Sequence, residues 1–443
     1  MIKNIIKRLL SKSPRMYNFS RLVYFYMLSY VKYLRFHKSI YEYNKNNKSF
    51  VLIGDTAEKT IEIAFVSILP PNASGIATTT YQIFSSIETK MDIFSQFENE
   101  TAYYKSKIKF SLSNNNLYPI SLFFELFCIK KYRKIIIAVG GSSHHSYVAC
   151  FLDKLNKYGI SDRVVIYLHD VYVHNLFLTS GYFSLVEYVN LLNNLYLRDC
   201  PEDAKKKIPI FDSNVLGLKV FNKCFGISEF LVNSQAAADL VTKDLYDLEN
   251  IKVSRIFLPL FEFDLRKYKY KFNKEEGVKY IGSFGIPGPA KKTDVIIDAV
   301  NLLNKRGINC KLILAGWGVE KYCRHKDLTN VEYFENLSDL ELFSLISQID
   351  LAVQLRASNT GESSGCVPLT LEAKIPTIVS RVGSFAEFGN SVVYFDNSTV
   401  NNLCELIRAT LSNQNLELKC NMALYVKGHG IKNFMKSLHD IYK

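Results

Sequence analysis

Residues Leu351–Phe388 decide the fold of this chain and read LAVQLRASNTGESSGCVPLTLEAKIPTIVSRVGSFAEF. A β-type run, Leu351–Leu355, ends in a polar loop, Ser358–Gly365; a short segment carrying Glu372 follows, and a second β run, Thr377–Ser380, closes the unit. Small residues at a strand-to-helix turn let backbone N–H groups approach an anion, and a helix N-terminus adds favourable partial charge. Because the acidic residue beyond the turn can accept hydrogen bonds from hydroxyls, this unit predicts a site for a nucleotide-linked sugar.

The arrangement around the GESSG string is more specific than the string itself, because serine-rich loops with glycine are often only turns. Its pieces are Leu355-Arg356, Gly361–Gly365, Leu371–Ala373 and Val382–Glu387. They resemble the donor-binding region of retaining glycosyltransferases of family 4, also called glycosyltransferase group 1, and in particular a bacterial subgroup with LR, GE-S-SG, Leu-Glu-Ala and VGSFAE elements. The resemblance implies a GT-B fold and transfer of a sugar from a nucleoside-diphosphate donor.

Length and charge bound the remaining possibilities. A chain of 443 residues predicts two domains of common size. The net charge of +13 favours a polyanionic partner. The sequence holds no nucleic-acid-binding module with its aromatic and basic motif, so we expect no nucleic-acid partner. An anionic membrane surface or a diphosphate donor accounts better for the charge.

Cysteine usage and hydropathy predict a cytoplasmic protein. The nine cysteines include no CxxC pair, which is typical of reduced thiols rather than of disulfides or a zinc site. No signal peptide is evident, and no stretch reaches the roughly 18 apolar residues of a spanning helix. No acidic cluster resembles a DxD-type metal site, so we expect no metal and no cofactor besides the sugar nucleotide.

The N-terminal segment, residues 1–50, differs from the rest of the chain. Its isoleucines and leucines from Ile2 to Leu10 fall at helical spacing with lysines and an arginine between them, and Arg21–Leu34 is aromatic and apolar. This pattern predicts a helical extension. The extension is either a peripheral anchor on the inner face of the cell membrane or a segment packed on the first domain.

From Ile61 onward, apolar strands alternate with helical segments. Lys134–Gly140 and Arg163–Leu168 are continuous apolar runs, as in strands buried on both faces of a parallel sheet. A polar stretch, Arg266–Gly277, predicts the linker, after which the alternation restarts. We expect an N-terminal Rossmann-like acceptor domain at 51–265 and a C-terminal Rossmann-like donor domain at 266–415. The resemblance implies that these doubly wound α/β domains face each other across a cleft, and that residues 416–443 form a helix returning to the first domain.

The family resemblance implies a lysine contact to the donor diphosphate. Lys291 fits the family's lysine motif by its spacing to Asp294, with Lys292 as the neighbouring alternative. Relatives often carry an arginine just after a glycine in this region, and the corresponding residue here is Ser283. Arg356 either supplies the positive charge of that arginine or stabilises the conformation of the loop in which it lies.

The Leu351–Phe388 unit supplies the other donor contacts that the resemblance implies. Glu372 matches the second glutamate of the family's E-x7-E element, which binds the ribose hydroxyls. Ser364 occupies the position of the first glutamate, and Glu362 lies two residues earlier. Glu362 is either a catalytic residue that touches the transferred sugar or a loop-capping carboxylate. The backbone N–H groups of Gly365, Cys366 and Val367 would face the phosphates. The side chain of Cys366 is expected to be a small buried residue without a chemical role.

The first domain is expected to carry the remaining site residues. His169 and Asp170 follow an apolar strand and match the YxHD-type pattern of the subgroup, which implies a position near the reacting sugar. His145 is a weaker candidate after the preceding strand. Gly75 permits the backbone to approach the donor phosphates. In the second domain, Trp317 either stacks on the nucleobase or packs in the core.

The sequence therefore predicts a metal-independent, hexosyltransferase-type retaining glycosyltransferase. We expect it to move a sugar to a hydroxyl of a glycan or lipid-linked acceptor in bacterial cell-surface polysaccharide synthesis. Two alternatives stay open: a GT-B module that binds a sugar nucleotide or a partner without turnover, and a basic nucleic-acid-binding protein.

Overall fold

The computed structural model describes residues 62–442 apart from 73, 90, 98, 112–114, 131, 197–209, 211, 213, 262, 264–271, 325–327, 397–398 and 413–414. The predicted helical extension at 1–50 lies outside the described residues. So does the stretch that contains the predicted domain boundary between 265 and 266.

Seven strands form the first sheet, in the order β3-β2-β1-β4-β5-β6-β7. They are β1 (Ile63–Val66), β2 (Met91–Ser95), β3 (Asn116–Pro119), β4 (Lys134–Val139), β5 (Val164–Leu168), β6 (Glu229–Val232) and β7 (Lys252–Arg255). The pairs from β3 to β5 are parallel. Because β1 lies between β2 and β4, the order of the strands reverses between β1 and β4, where doubly wound sheets bind ligands.

Six strands form the second sheet, in the order β10-β9-β8-β11-β12-β13. They are β8 (Lys279–Phe284), β9 (Cys310–Ala315), β10 (Val331–Phe334), β11 (Leu351–Gln354), β12 (Thr377–Ser380) and β13 (Val393–Phe395). All neighbouring pairs are parallel. The reversal in this sheet falls between β8 and β11.

Helices connect the strands of both sheets. In the first part of the chain they are α1 (Gly75–Ser86), α2 (Glu100–Ser111), α3 (Phe123–Lys130), α4 (Val148–Lys157), α5 (His174–Ser180), α6 (Leu185–Tyr196), α7 (Lys219–Phe225) and α8 (Gln235–Asp244). The later helices are α9 (Thr293–Lys305), α10 (Val319–Cys323), α11 (Asp339–Ile346), α12 (Cys366–Glu372), α13 (Val400–Ser412), α14 (Leu416–Gly428) and α15 (Ile431–Tyr442). The prediction of two doubly wound Rossmann-like α/β domains is confirmed.

Burial explains why the apolar runs of the sequence become strands. Residues 135–139 of β4 are fully buried, as expected for a parallel strand covered on both faces. In α9, Ile296, Ala299, Val300 and Leu303 are buried at helical spacing. At the start of α11, Ser338 and Glu341 form a capping box, which pairs two backbone N–H groups that the helix itself leaves without partners.

The described residues divide into two compact units. The first takes the chain up to Leu231 together with Leu240–Ser254, and the second takes Val232–Asp239 together with everything from Arg255 onward. Across the described part of the chain, no helix combines the length and the apolar character that crossing a membrane requires.

Candidate functional site

Two loops meet where the strand order of the second sheet reverses. One loop leaves the carboxyl end of β8, and the other leaves the carboxyl end of β11. The Ala357 amide donates to the Ala290 carbonyl at 2.9 Å and joins the two loops. Ligands of doubly wound sheets bind at this edge because the loops on either side of the reversal separate there.

Lys291 lies in the loop after β8 and folds back onto the end of its strand. The loop begins at Gly285, whose φ of 98° is a conformation that favours glycine. The Lys291 ammonium donates to the Phe284 carbonyl at 3.3 Å and lies where a side chain on Gly285 would otherwise be. Glycine is therefore required at residue 285 both by the backbone and by the position of the lysine.

Ser283, the residue that was compared with a family arginine, is a buried residue inside β8, where it pairs with Leu314. The glycine that opens the loop is Gly285, and the residue after it is Ile286, which is exposed. β8 continues through Gly282 and ends at Phe284, so the loop begins at Gly285.

Arg356 follows β11 and is held on three sides. Its backbone N–H donates to the Ser380 hydroxyl at 2.9 Å, and its guanidinium lies 5.4 Å from the centroid of the Phe385 ring. The guanidinium also donates to the Glu362 carboxylate at 2.9 Å. Arg356 is only 8 % exposed. Glu362 is thus the counter-ion of a nearly buried arginine, and the Ser384 hydroxyl fixes its backbone carbonyl at 3.0 Å.

The start of α12 carries the residues expected to face the phosphates. Gly365 precedes the helix, Cys366 is its first residue and Val367 is fully buried. The Cys366 amide donates to the Ser364 hydroxyl at 3.2 Å. Apart from its chain neighbours, no described residue lies within 4 Å of the point that an alanine methyl group at Gly365 would occupy, so packing against the described residues does not require glycine there. Glu372 is the last residue of α12 and is half-buried.

Three charged side chains act on the Cys366 thiol. Burial raises the pKa of this thiol, while the positive charges of Lys291 and Arg356 lower it and the negative charge of Glu362 raises it further. The sulfur lies 3.8 Å from the point that a methyl group on Gly285 would occupy, beside the Lys291 ammonium. The structure therefore brings Lys291, Arg356, Glu362 and Cys366 into one cluster at the reversal point.

Serines of the loops after β11 and β12 line a cavity of about 350 Å³ in the second unit. Ser363, Ser364 and Ser384 contribute hydroxyls to its wall, and Arg255 and His429 also line it. A polar cavity of this size is at the lower end of the range for small-molecule sites.

In the first unit, the loops after β4 and β5 lie side by side. The Asp170 carboxylate accepts a hydrogen bond from the Gly141 amide at 2.9 Å and thereby joins the two loops. The His169 ring stacks at a tilt on Tyr167, with the ring centroids 4.4 Å apart. Burial lowers the pKa of His169 to about 4, so the imidazole is neutral near pH 7.

His145 belongs to the loop after β4, at the end of a short turn of 3-10 helix. It is fully buried, and within the described residues neither of its ring nitrogens has a hydrogen-bond partner. Burial, followed by the charges of His169 and His144, lowers the pKa of His145 to about 3. An alanine methyl group at Gly140 would lie 3.1 Å from the Asp170 carboxylate and 3.7 Å from the His145 ring. His145, His169 and Asp170 are therefore brought together.

Gly75 is the first residue of α1, after the N-cap Ser74, whose hydroxyl accepts from the Ile76 amide at 3.3 Å. A methyl group at Gly75 would meet no protein atom within 4 Å. At Gly140, in contrast, a methyl group would lie 2.6 Å from Ile76, so the first turn of α1 packs against the loop after β4. Gly75, His169 and Asp170 thus belong to the first unit, and the other predicted site residues belong to the second.

Trp317 is 72 % exposed, which excludes core packing. It follows β9, next to the loop after β8, and Gly316 lies against the backbone of Gly285. Ile286 is also exposed, at 57 %. A single apolar residue in a Gly/Pro loop, such as Ile286, gives no periodic signal in the sequence. The contacts of Ser380 and Phe385 with Arg356 join residues more than 20 positions apart, so the sequence pattern does not reveal them.

No group of three or more His, Cys, Asp or Glu side chains in the described part of the chain is arranged to hold a metal ion. Lys291 and Arg356 place two positive charges beside Cys366 at the reversal point of the second sheet.

Comparison with known proteins identifies the architecture. Neither a protein-family model nor a curated protein sequence matches the chain. Among solved structures it is similar to Anabaena Alr3699/HepE in complex with UDP and glucose, at 12 % identity and a TM-score of 0.54, covering 86 % of this chain and 99 % of that one. The fold is that of the GT-B glycosyltransferases.

Two further structures share this fold. A glycosyltransferase from Rickettsia africae ESF-5 has 12 % identity and a TM-score of 0.56, covering 86 % of this chain and 97 % of that one. A UDP-forming α,α-trehalose-phosphate synthase from Burkholderia xenovorans, in complex with glucose-6-phosphate, has 10 % identity and a TM-score of 0.55, covering 86 % and 99 %. At these identities the similarity establishes the GT-B fold of this chain.

Proposed function

We propose that this protein is a glycosyltransferase that uses a nucleoside-diphosphate sugar. The observation that carries the proposal is the cluster at the reversal point of the second sheet, where Lys291 and Arg356 lie beside the start of α12. A departing diphosphate needs its negative charge stabilised, and fixed cations with oriented amides do this without a metal ion. The GT-B fold supports the same function.

The donor contacts follow from this arrangement. Lys291 and Arg356 would bind the diphosphate together with the backbone N–H groups of Gly365, Cys366 and Val367. The Cys366 amide donates to the Ser364 hydroxyl. A bound phosphate oxygen would therefore accept from this amide either together with the hydroxyl or in its place. Glu372 would accept hydrogen bonds from the ribose, and the exposed Trp317 ring would stack on the base.

The first unit would supply the residues near the reacting sugar. His169, neutral near pH 7, would donate a hydrogen bond to a sugar hydroxyl. Asp170 would act as a positioning residue, because its carboxylate holds the Gly141 amide. Gly75 would let the backbone approach the phosphates, since no described residue other than its chain neighbours fills the space beside it.

The finer assignments rest on the motif resemblance. It supports family 4, retention of anomeric configuration, and transfer to a glycan or lipid-linked acceptor in bacterial cell-surface polysaccharide synthesis. The net charge of +13 and the basic pattern in residues 1–34 support cytoplasmic action at the inner face of the membrane. If this location is right, deletion of residues 1–34 will reduce sedimentation with vesicles that contain anionic lipid.

A donor screen tests the proposed function. Because the solved neighbours include complexes with UDP, we expect a UDP-sugar to raise the melting temperature of the protein and to be turned over. Addition of EDTA should leave turnover unchanged. If no sugar nucleotide shifts the melting temperature, the proposal fails.

A binding module without turnover is the second candidate. It is favoured by Ser364, which stands where relatives carry a glutamate and uses its hydroxyl to cap the Cys366 amide. In that case sugar nucleotides would stabilise the protein, but neither donor hydrolysis nor transfer would be detected.

A further inference from the structure

Glu362 has a structural environment that differs from that of a sugar-binding carboxylate. Its carboxylate accepts from the Arg356 guanidinium at 2.9 Å, and its side chain is 45 % exposed, whereas that of Arg356 is 9 % exposed. Burial of a guanidinium without a counter-ion would destabilise the folded protein, because the charge loses its hydration. The ion pair with Glu362 offsets this desolvation penalty at Arg356.

The backbone of the loop holds Glu362 in this orientation. The Ser384 hydroxyl donates to the Glu362 carbonyl at 3.0 Å, and the Asn359 side chain accepts from the Gly361 amide at 3.0 Å. On the other side of the pair, Arg356 is fixed by Ser380 and by the Phe385 ring. Contacts within the protein therefore hold Arg356 and Glu362 in position without a ligand.

Ser364, which by resemblance matches the first glutamate of the E-x7-E element, offers no carboxylate. It is 8 % exposed with its hydroxyl engaged by the Cys366 amide. Glu362 is the acidic residue of this loop, and it acts on the same thiol as Lys291 and Arg356. One negative charge thus lies among the two positive charges that would bind the diphosphate.

We propose that Glu362 is a positioning residue that orients Arg356 and limits the affinity of the site for the diphosphate, and that it makes no contact with the transferred sugar. This inference rests on the proposed function and names the role of one residue within it. The carboxylate holds the guanidinium at the reversal point and offsets part of its charge. A sugar-nucleotide enzyme benefits from such a group because a nucleoside diphosphate, once the sugar has left, must dissociate before the next turnover.

The Glu362→Gln variant distinguishes a counter-ion of Arg356 from a residue that contacts the sugar. Glutamine keeps the shape of the side chain and a hydrogen-bond acceptor but removes the negative charge. If Glu362 is a counter-ion, the variant will bind the nucleoside diphosphate and the nucleotide sugar more tightly by the same factor, roughly threefold to tenfold. A carboxylate that touches the sugar would instead lower the affinity for the nucleotide sugar and leave that for the diphosphate unchanged. The ratio of the two dissociation constants is therefore the readout.

Two further variants complete the experiment. Arg356→Gln should weaken binding of both ligands, because it removes a cation from the diphosphate site. Glu405→Gln is the matched control: Glu405 is 48 % exposed and pairs with Arg306 at the far end of α9, so the variant changes net charge equally and should bind like the wild type.

Titration calorimetry with UDP, GDP, ADP, dTDP and their glucose conjugates decides the outcome. Tighter binding of both ligand classes by Glu362→Gln supports the inference. Equal or weaker binding by this variant, with wild-type binding intact, overturns the inference alone. Failure of the wild type to bind any of these ligands overturns the inference together with the proposed function.

Discussion

His145 is the residue whose environment most clearly departs from ordinary packing. A buried polar group without a partner costs about 1 to 3 kcal/mol, and both ring nitrogens of His145 are in this state within the described residues. Burial and neighbouring histidines lower its pKa from 6.5 to about 3. The folded protein therefore binds fewer protons at His145 than the unfolded chain does between pH 3 and 6.5.

The sign of the resulting pH dependence is fixed by this difference. Stability from His145 is fully present above pH 6.5 and is lost as the pH falls toward 3. Relative to the wild type, His145→Leu should gain about 2 to 3 kcal/mol of unfolding free energy on going from pH 7.5 to pH 4.5. Urea unfolding at the two pH values measures this. His439→Leu provides the control at a histidine whose side chain is 53 % exposed.

Equal pH dependence of His145→Leu and the wild type would contradict the assigned pKa. The sequence could not predict this environment, because one histidine in a Ser/His-rich loop has no periodic pattern that reveals its burial. It did predict His169 and Asp170 as neighbours at a strand end, since consecutive residues after a buried strand necessarily lie at the edge of the sheet.

Among the elements, the loop after β8 shows what glycine contributes to the candidate site. Gly285 combines a φ of 98° with close approach of the Lys291 ammonium. Gly307 has a similar φ of 79° after α9, but a methyl group there would meet no atom within 4 Å. Both glycines therefore have a positive φ, but only Gly285 has the Lys291 ammonium in the space that a side chain would need.

The variants Gly285→Ala and Gly307→Ala separate strain from function. Each should lose roughly 1 to 2 kcal/mol of stability, because an alanine is disfavoured at positive φ. Only Gly285→Ala should also weaken nucleotide binding, since its methyl group displaces Lys291. Unfolding and titration experiments check both effects, and normal nucleotide binding by Gly285→Ala would show that the position of the lysine does not matter.

Elements with long apolar runs could be predicted from the sequence, whereas short or polar ones could not. β4 and β5 were recognisable because parallel strands are buried on both faces and therefore read as continuous apolar segments. β3 reads NLYP and is half-buried in alternation at the edge of its sheet, so it gave no comparable signal. The polar start of α9 also gave no clear signal: α9 begins at Thr293, because Lys291 closes a preceding turn of 3-10 helix.

At the scale of the whole molecule, two sheets of seven and six strands each reverse their strand order once. The alternation of strands and helices predicted this architecture, because short connections and right-handed crossovers leave few topologies open. The pairing of Arg356 with Glu362 could not be predicted in the same way. It depends on the path of an irregular loop and on contacts from Ser380, Ser384 and Phe385.

The central claim is that Lys291, not a metal ion, stabilises the diphosphate of a sugar-nucleotide donor. Turnover of the donor found in the screen, measured in EDTA for the wild type, Lys291→Ala and Lys292→Ala, tests it most directly. The account predicts that the wild type is active, that Lys291→Ala loses roughly tenfold to a hundredfold in turnover efficiency, and that Lys292→Ala keeps most of it. Wild-type efficiency in Lys291→Ala, or loss of all turnover in EDTA, would contradict the account.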